Sequence, residues 1–414
     1  MSTFLFFDII IIVRKDIVMK KVIIGCLILL ISSLLFVFGV YGYKYYKVKN
    51  ALILVDVVDD LEIAVFSDIK LSDLLVSING KLVDDFVIET DVVGPKTVKF
   101  QYINDDDIKV SYSFGINIVD KVPPLIFSSK SFSVTKGYSG KLSEELFCGD
   151  NYDDKPICEL VGDYDINTIG TYPVTFIGKD SSNNIASNKF NLIVKEKSTG
   201  GLSNTTQSFD NLVKKYKTED TKIGIDVSRW QGDIDFKLVK DAGVEFVFIR
   251  VGSQKGVGGE YYIDPKFEQN IKGFQKVGIP VGVYFYSYAD SILAAKKEAK
   301  WVIEQIKPYK IELPVVFDWE NWSFYQEFNK SFYNLSKIAD TYLNVVETAG
   351  YQGMLYSSKY YLENVWFKLN YPIWLAHYTE YTNYQGEYMF WQLCSNGRVS
   401  GINGNVDVNV MYIN

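Results

Sequence analysis

The chain has 414 residues and a formal net charge of −7 with no basic block, which argues against nucleic acid as a partner, since phosphate binding is driven by clustered Lys and Arg. That length predicts two or three domains at about 150 residues each, and a hydrophobic fraction of 48% is ample for globular cores. A single His, His377, and four Cys without a C-x-x-C pair argue against a structural zinc site, so no metal is assigned.

Val22–Tyr41 is an uncharged apolar run long enough to cross a bilayer as a helix. Arg14, Lys15, Lys20 and Lys21 precede it and Lys44, Lys47 and Lys49 follow, so the positive-inside bias is slight. A cleaved signal peptide would have a shorter apolar core and small residues before the cut, whereas this run ends in Phe, Val and Tyr. A lipoprotein site at Cys26 fails because few apolar residues separate it from Lys21. The expectation is an uncleaved transmembrane helix over 22–43, with residues 1–21 cytoplasmic. Met19-Lys20-Lys21 looks like a natural start, which makes the first eighteen residues an upstream extension.

From Ala51 to Glu196 the chain reads as short strands broken by turns. Leu82–Ile88, Thr97–Tyr102 and Lys109–Ile118 are strand-like by alternation, and Asn79-Gly80 is a hairpin signal. Lys70-Leu71-Ser72-Asp73 recurs as Lys141-Leu142-Ser143-Glu144, and Gly94–Phe100 recurs as Gly170–Phe176. Two tandem all-β modules are predicted, at 51–121 and 122–196. The second resembles bacterial immunoglobulin-like repeats through Asp150–Asp153, Gly170-Thr171-Tyr172 and Lys179–Asn184; the first matches only loosely. Cys148 and Cys158 bracket an acidic loop, which leaves open a disulfide or two reduced thiols. Of wall binding and simple spacing, spacing is the expected role. Residues 197–222 are polar and rich in Gly, Ser and Thr, and read as a linker with one helical turn near Leu212.

From 223 to 414, short apolar strands alternate with helical stretches. Strands are expected at Ile223–Val227, Phe246–Val251, Val281–Tyr288, Met354–Ser357, Ile373–His377, Met389–Leu393 and Val406–Val410. Helical spacing appears at Phe236–Ala242, Asp264–Lys276, Ile292–Ile306 and Leu335–Val346. Another strand, in Leu313–Asn321 (LPVVFDWEN), ends in two carboxylates, Asp318 and Glu320. Residues two apart share a face of a strand, and crowded, buried carboxyls have split pKa values. Two such carboxyls are the equipment for cleaving a glycosidic bond, although D-x-E alone is a common tripeptide. Repeated β-α units with about eight strands imply an α/β barrel whose site forms at the C-terminal strand ends. Asp226, Arg250, Tyr286, Asp318, Glu320, Tyr378 and Gln392 all fall there. Aromatic residues make up 15% of the chain, which suits stacking on sugar rings and also suits β-structure.

At this point a resemblance emerges. Residues 223–414 resemble glycoside hydrolase family 25, the muramidases that cut bacterial peptidoglycan. The motifs are Gly224-Ile225-Asp226-Val227-Ser228 with Trp230-Gln231-Gly232, Phe248-Ile249-Arg250, Asp264-Pro265, Val281-Gly282-Val283-Tyr284, Asp318-Trp319-Glu320, Ile373-Trp374-Leu375-Ala376 with Tyr378, Trp391-Gln392, and Val406-Asp407-Val408-Asn409. The resemblance implies a flattened barrel and hydrolysis of the β-1,4 bond between N-acetylmuramic acid and N-acetylglucosamine, with no cofactor. It makes Glu320 the general acid and Asp318 the carboxylate that steers the substrate's acetamido group or stabilises the cationic transition state. Asp226 and Asp407 become further acids of the cleft. Tyr286, Arg250, Trp374, Tyr378, Trp391 and Gln392 become substrate-binding residues, each aromatic among them being equally able to serve the core. Phe285 departs from the family by standing where many members carry a polar residue, and His377 is expected at the rim. The implied partners are peptidoglycan and, through the N-terminal helix, the membrane, with the catalytic domain outside the cell. Two alternatives stand beside this reading: a non-catalytic wall-binding protein on the same scaffold, and a glycosidase acting on another acetamido polymer such as chitin.

Overall fold

The computed structural model describes residues 3–197, 205–320 and 329–413, and the chain divides into two compact units, Met1–Asp120 and Lys121–Asn414. The first begins with helix α1 (Thr3–Lys49), longer at both ends than the expected span because no Pro interrupts the run. Its Ile17–Lys49 portion is long and apolar enough to cross a membrane, and none of it is buried against protein.

Six strands follow: β1 (Val55–Val57), β2 (Glu62–Ala64), β3 (Leu75–Ile78), β4 (Gly80–Leu82), β5 (Gly94–Asn104) and β6 (Lys109–Val119). They form a four-stranded sheet in the order β2-β6-β5-β4 and a separate β1-β3 pair. Strict alternation buries Val98, Phe100 and Tyr102 of β5 against Val110, Phe114, Ile116 and Ile118 of β6. Asn79-Gly80 does not turn a hairpin, because β3 pairs with β1 and β4 with β5. Its side chain instead accepts from Leu54 N at 3.0 Å and donates to Leu52 O at 3.0 Å. Gly80 is there for close approach: a Cβ would lie 2.0 Å from Ile103 O. The expected strand at Leu82–Ile88 shrinks to the end of β4 and an isolated Lys70–Val87 bridge.

The second unit opens with β7 (Leu125–Ile126), β8 (Ser131–Thr135), β9 (Cys148–Gly149), β10 (Ile157–Val161), β11 (Gly170–Lys179) and β12 (Ile185–Lys195). Its sheet runs β8-β12-β11-β10 beside a β7-β9 pair, strand for strand the arrangement of the first module. The repeated Lys-Leu-Ser motif begins a short 3₁₀ turn in both, Leu71–Leu74 and Leu142–Glu144. The faint repeat in the sequence is therefore a repeat of topology. Cys148 and Cys158 form a disulfide with Cα atoms 6.2 Å apart.

The rest of the unit is a closed ring of eight strands: β14 (Thr221–Val227), β15 (Val247–Gln254), β17 (Val281–Tyr286), β18 (Val315–Asp318), β19 (Gly353–Ser358), β20 (Ile373–Ala376), β21 (Phe390–Arg398) and β22 (Val406–Tyr412). Neighbours from β14 to β21 are parallel, and antiparallel β22 pairs with both ends of the series to close it. A short β16 (Tyr261–Ile263) hangs on β15. Helices α3 (Phe236–Asp241), α4 (Phe267–Lys276), α5 (Ile292–Ile306), α6 (Phe332–Thr348) and α7 (Lys359–Asn364) form the connections. In α5, Ser291 caps the N-terminus by accepting from Ala294 N, and Ala295, Ala299, Val302 and Ile306 are buried together at helical spacing. Inside the ring, Phe246, Phe248, Val316, Met354, Tyr356, Trp374 and Phe390 form one cluster that plugs the barrel.

The stretch expected as a linker differs from expectation from residue 205 onward. β13 (Gln207–Ser208) pairs with β21, and α2 (Phe209–Tyr216) buries Phe209 and Leu212 in the barrel's outer core. A polar composition hid an amphipathic helix whose apolar residues stand three apart.

Candidate active site

Strand register brings the acids together. Asp226 on β14 lies opposite Asp407 on β22, while Asp318 ends β18 with Tyr286 and Tyr356 as its neighbours on β17 and β19. A pocket of about 130 Å³ at these strand ends is lined by Asp226, Tyr284, Asp318, Glu320, Tyr356, Trp374, Tyr378, Gln392 and Asp407. β18 stops at Asp318, so Glu320 is not on a continued strand as expected. Asp318 is buried, whereas Glu320 is exposed at the rim and its carboxyl still lines the pocket.

Gln392 is the hub of the polar network. Its Oε1 accepts from Tyr356 OH and Tyr378 OH, both at 2.8 Å. Its Nε2 donates to Asp226 Oδ2 at 2.9 Å and Asp407 Oδ2 at 3.4 Å. Asn409 Nδ2 donates to the same Asp226 oxygen at 2.8 Å, while its Oδ1 accepts from Trp374 Nε1 at 2.8 Å. Two amides with both ends committed fix the orientation of the Asp226–Asp407 pair.

The electrostatics divide the acids into two proton-sharing pairs. Burial pushes Asp407 up to about 9, helped by the neighbouring Asp226 charge. Burial also raises Asp226, but hydrogen bonds from Asn409, Gln392 and Asp407 oppose the rise. Asp226 is therefore the anion of this pair and Asp407 keeps the proton at neutral pH. Burial raises Asp318 well above the carboxylate range, and the charge of Glu320 and a hydrogen bond between the two add to it. Although Glu320 as a residue is exposed, desolvation of its carboxyl beside the pocket raises its pKa as well, with the Asp318 hydrogen bond opposing. These two titrate as a coupled pair, and the hydrogen bond between them favours the proton on Asp318. Asp318 Oδ1 is buried with no hydrogen-bond partner among the described residues.

A pocket with an exchangeable proton at its rim and anionic charge deeper in is equipped to protonate a leaving oxygen and stabilise positive charge beside it. Comparison with known proteins identifies the family. The model of glycosyl hydrolases family 25 matches residues 225–402. YegX, an uncharacterized protein of Escherichia coli O157:H7, is 33% identical over 195 residues, which is 45% of this chain and 68% of that protein. The chain belongs to glycosyl hydrolase family 25. An autolytic lysozyme of Clostridium acetobutylicum is 28% identical over 45% of this chain and 54% of its own length. A solved family 25 glycosyl hydrolase from Bacillus anthracis aligns at 22% identity over 52% of this chain and 96% of that one, with a TM-score of 0.42.

Of the residues expected at the family 25 site, Asp226, Asp318, Glu320, Asp407, Trp374, Tyr378 and Gln392 line the pocket. Three do not. Arg250 sits before a bulge in β15, and its Nε donates to buried Asp264 Oδ2 at 2.7 Å, so its guanidinium braces the fold. Trp391 is buried in the outer core, donates Nε1 to His377 O at 2.8 Å and packs edge-on to Tyr216. Tyr286 is absent from the lining but close enough for Asp318 and Glu320 to raise its pKa, after burial. Phe285 points into the outer core beside Trp301, so its departure from the family pattern does not reach the pocket.

Tyr284, Tyr356 and Asn409 also belong to the site; Tyr284 and Asn409 stand in the family motifs without an assigned role, and Tyr356 is not among the expected site residues. The signals were present. Tyr284 and Asn409 stand two residues from Tyr286 and Asp407 and so share their strand faces, and Tyr356 is a hydroxyl at the C-terminal end of an expected strand.

Proposed function

We propose that this family 25 glycoside hydrolase is a membrane-anchored muramidase that cleaves peptidoglycan between N-acetylmuramic acid and N-acetylglucosamine. The observation that carries the reading is the proton-sharing Asp318–Glu320 pair at the mouth of a pocket whose depth holds the Asp226 anion. The lysozyme names of relatives such as that of Clostridium acetobutylicum support the substrate.

Burial and the shared hydrogen bond favour the resting proton on Asp318, and the competent microstate is reached when that proton passes to Glu320 and the charge to Asp318. Glu320 gives its proton to the glycosidic oxygen as the C1–O bond breaks. The carbonyl oxygen of the substrate's 2-acetamido group closes on C1, or the Asp318 carboxylate stabilises the cationic sugar directly. Glu320, now a carboxylate, takes a proton from the attacking water, whose oxygen bonds to C1 on the original face as any bond from C1 to the acetamido oxygen breaks and the free 2-acetamido group is restored. Asp318 and Glu320 lie within hydrogen-bonding reach, which leaves no room between them for the water an inverting enzyme needs. Tyr356 and Tyr378 are held by Gln392 at the pocket wall, where they can meet sugar hydroxyls.

Helix α1 suits a single-pass anchor with the catalytic unit outside the cell, where a disulfide persists. The test is digestion of a panel of purified peptidoglycans and chitin, with the anomeric configuration of first products followed by NMR. Retained product from peptidoglycan alone is expected. Inverted product would refute the mechanism, cleavage of chitin instead would move the substrate, and no cleavage of any glycan would favour a binding scaffold.

A further inference from the structure

The second β module was expected to be a spacer, yet it supplies the hydrogen-bond acceptors for the start of α6. Ser331 N and Asn334 Nδ2 both donate to Asp154 Oδ1, at 2.7 and 2.8 Å. Phe332 N donates to Asp150 O at 2.8 Å and Tyr333 N to Asn151 O at 3.2 Å. The first backbone N–H groups of a helix have no acceptor within it, and here three successive ones are satisfied by a different module. Only the fourth is capped locally, Asn334 N donating to Ser331 Oγ.

The loop that does this is pre-shaped. The Cys148–Cys158 disulfide closes it, and Asp150 Oδ1 accepts from Tyr152 N at 2.9 Å and Asp153 N at 2.6 Å. Ten residues of chain, 321–330, join Glu320 to Ser331. A second route starts one residue before the disulfide. Phe147 packs on Tyr361 with ring centroids 6.0 Å apart, and Tyr361 packs on Trp319, also at 6.0 Å. Trp319 is the buried residue between Asp318 and Glu320. The loop therefore reaches the catalytic dipeptide through the aromatic stack beneath it, and it also caps α6, the helix that follows Glu320 in the chain.

We infer that the disulfide-closed loop is a brace for the catalytic acid, with Asp154 and Phe147 as positioning residues: the module holds Glu320 in register with the pocket. This rests on the reading of Glu320 as the acid. A general acid must be held close to its reacting oxygen, and small displacements cost large factors in rate. Asp154→Ala in the full chain is expected to lower kcat on peptidoglycan about five- to tenfold with KM within about twofold. Asp154→Asn, whose side-chain oxygen still accepts, is expected to restore kcat to within about twofold of wild type. Phe147→Ala is expected to lower kcat in the same way. Amide exchange gives a readout independent of activity: in Asp154→Ala the amides of Ser331, Phe332 and Tyr333 should exchange faster while those of β17 to β19 stay protected. Unchanged kcat, or kcat and KM moving together with loss of protection across the barrel, would overturn the brace. So would unchanged exchange at 331–333, including the case where wild type cleaves no glycan. In that case the functional reading fails by itself, and faster exchange at 331–333 would still uphold the docking contact.

Discussion

The two acid pairs of the pocket share a chemistry and differ in their surroundings. Asp226 and Asp407 face each other across antiparallel strands, and two committed amides, from Gln392 and Asn409, hold the anion. Asp318 and Glu320 come from a single strand end, and among the described residues no amide donates to Asp318 Oδ1. Amide donors lock a charge in place; a carboxyl pair that shares a hydrogen bond can pass a proton between its members. On the proposed reading this difference divides the roles: the amide-held pair is a fixed electrostatic wall, and the other lends a proton to substrate and recovers it.

That contrast is open to attack by substitution. Glu320→Gln cannot donate or accept the proton and is expected to lower kcat/KM by about 10³-fold or more, measured by turbidity loss of peptidoglycan. Asp318→Asn keeps the shape but removes the charge beside the developing cation, with an expected loss of about 10²-fold in kcat. A loss in Asp318→Asn as deep as that of Glu320→Gln would mean that the roles are not divided this way.

For the amide-held pair the expected signature is in stability against pH. The folded pKa of Asp407 is raised from 3.8 to about 9. Its contribution is therefore full below about pH 4 and is lost as pH rises toward 9. Asp407→Asn should flatten the fall in melting temperature between pH 6 and 9. The part owed to Glu298, buried in α5 and pushed up to about 8, should remain. An unchanged slope would remove Asp407 from the account. The smallest effect is expected at Trp391, which lies in the outer core. Trp391→Phe should cost about 1 kcal/mol through its lost hydrogen bond to His377 O and leave KM within about twofold. A tenfold rise in KM would return it to the binding surface.

How legible all this was in the sequence depended on the kind of signal. The barrel strands announced themselves as near-continuous apolar runs, because parallel strands are covered on both faces. The four acids carried their own signal as charges at strand ends, where burial is costly unless it serves chemistry. Arg250 and Trp391 stand at similar strand ends, yet neither lines the pocket. What diverts them is three-dimensional: a bulge that aims Arg250 at Asp264, and helix α2, hidden in a polar stretch, that covers Trp391. Asn79-Gly80 shows the same limit. The dipeptide has the composition of a hairpin turn, but the strands on either side of it pair with other partners, and no local pattern reports that. The docking of the second module on α6 was beyond reach for the same reason, since Asp154 and Ser331 stand far apart in the chain.

The most direct measurement is mass spectrometry of the reducing ends released from purified peptidoglycan by the wild-type chain and by Glu320→Gln side by side. Reducing N-acetylmuramic acid ends from wild type and none from the variant are the expected result. Equal release by both would contradict the assignment of Glu320 as the acid.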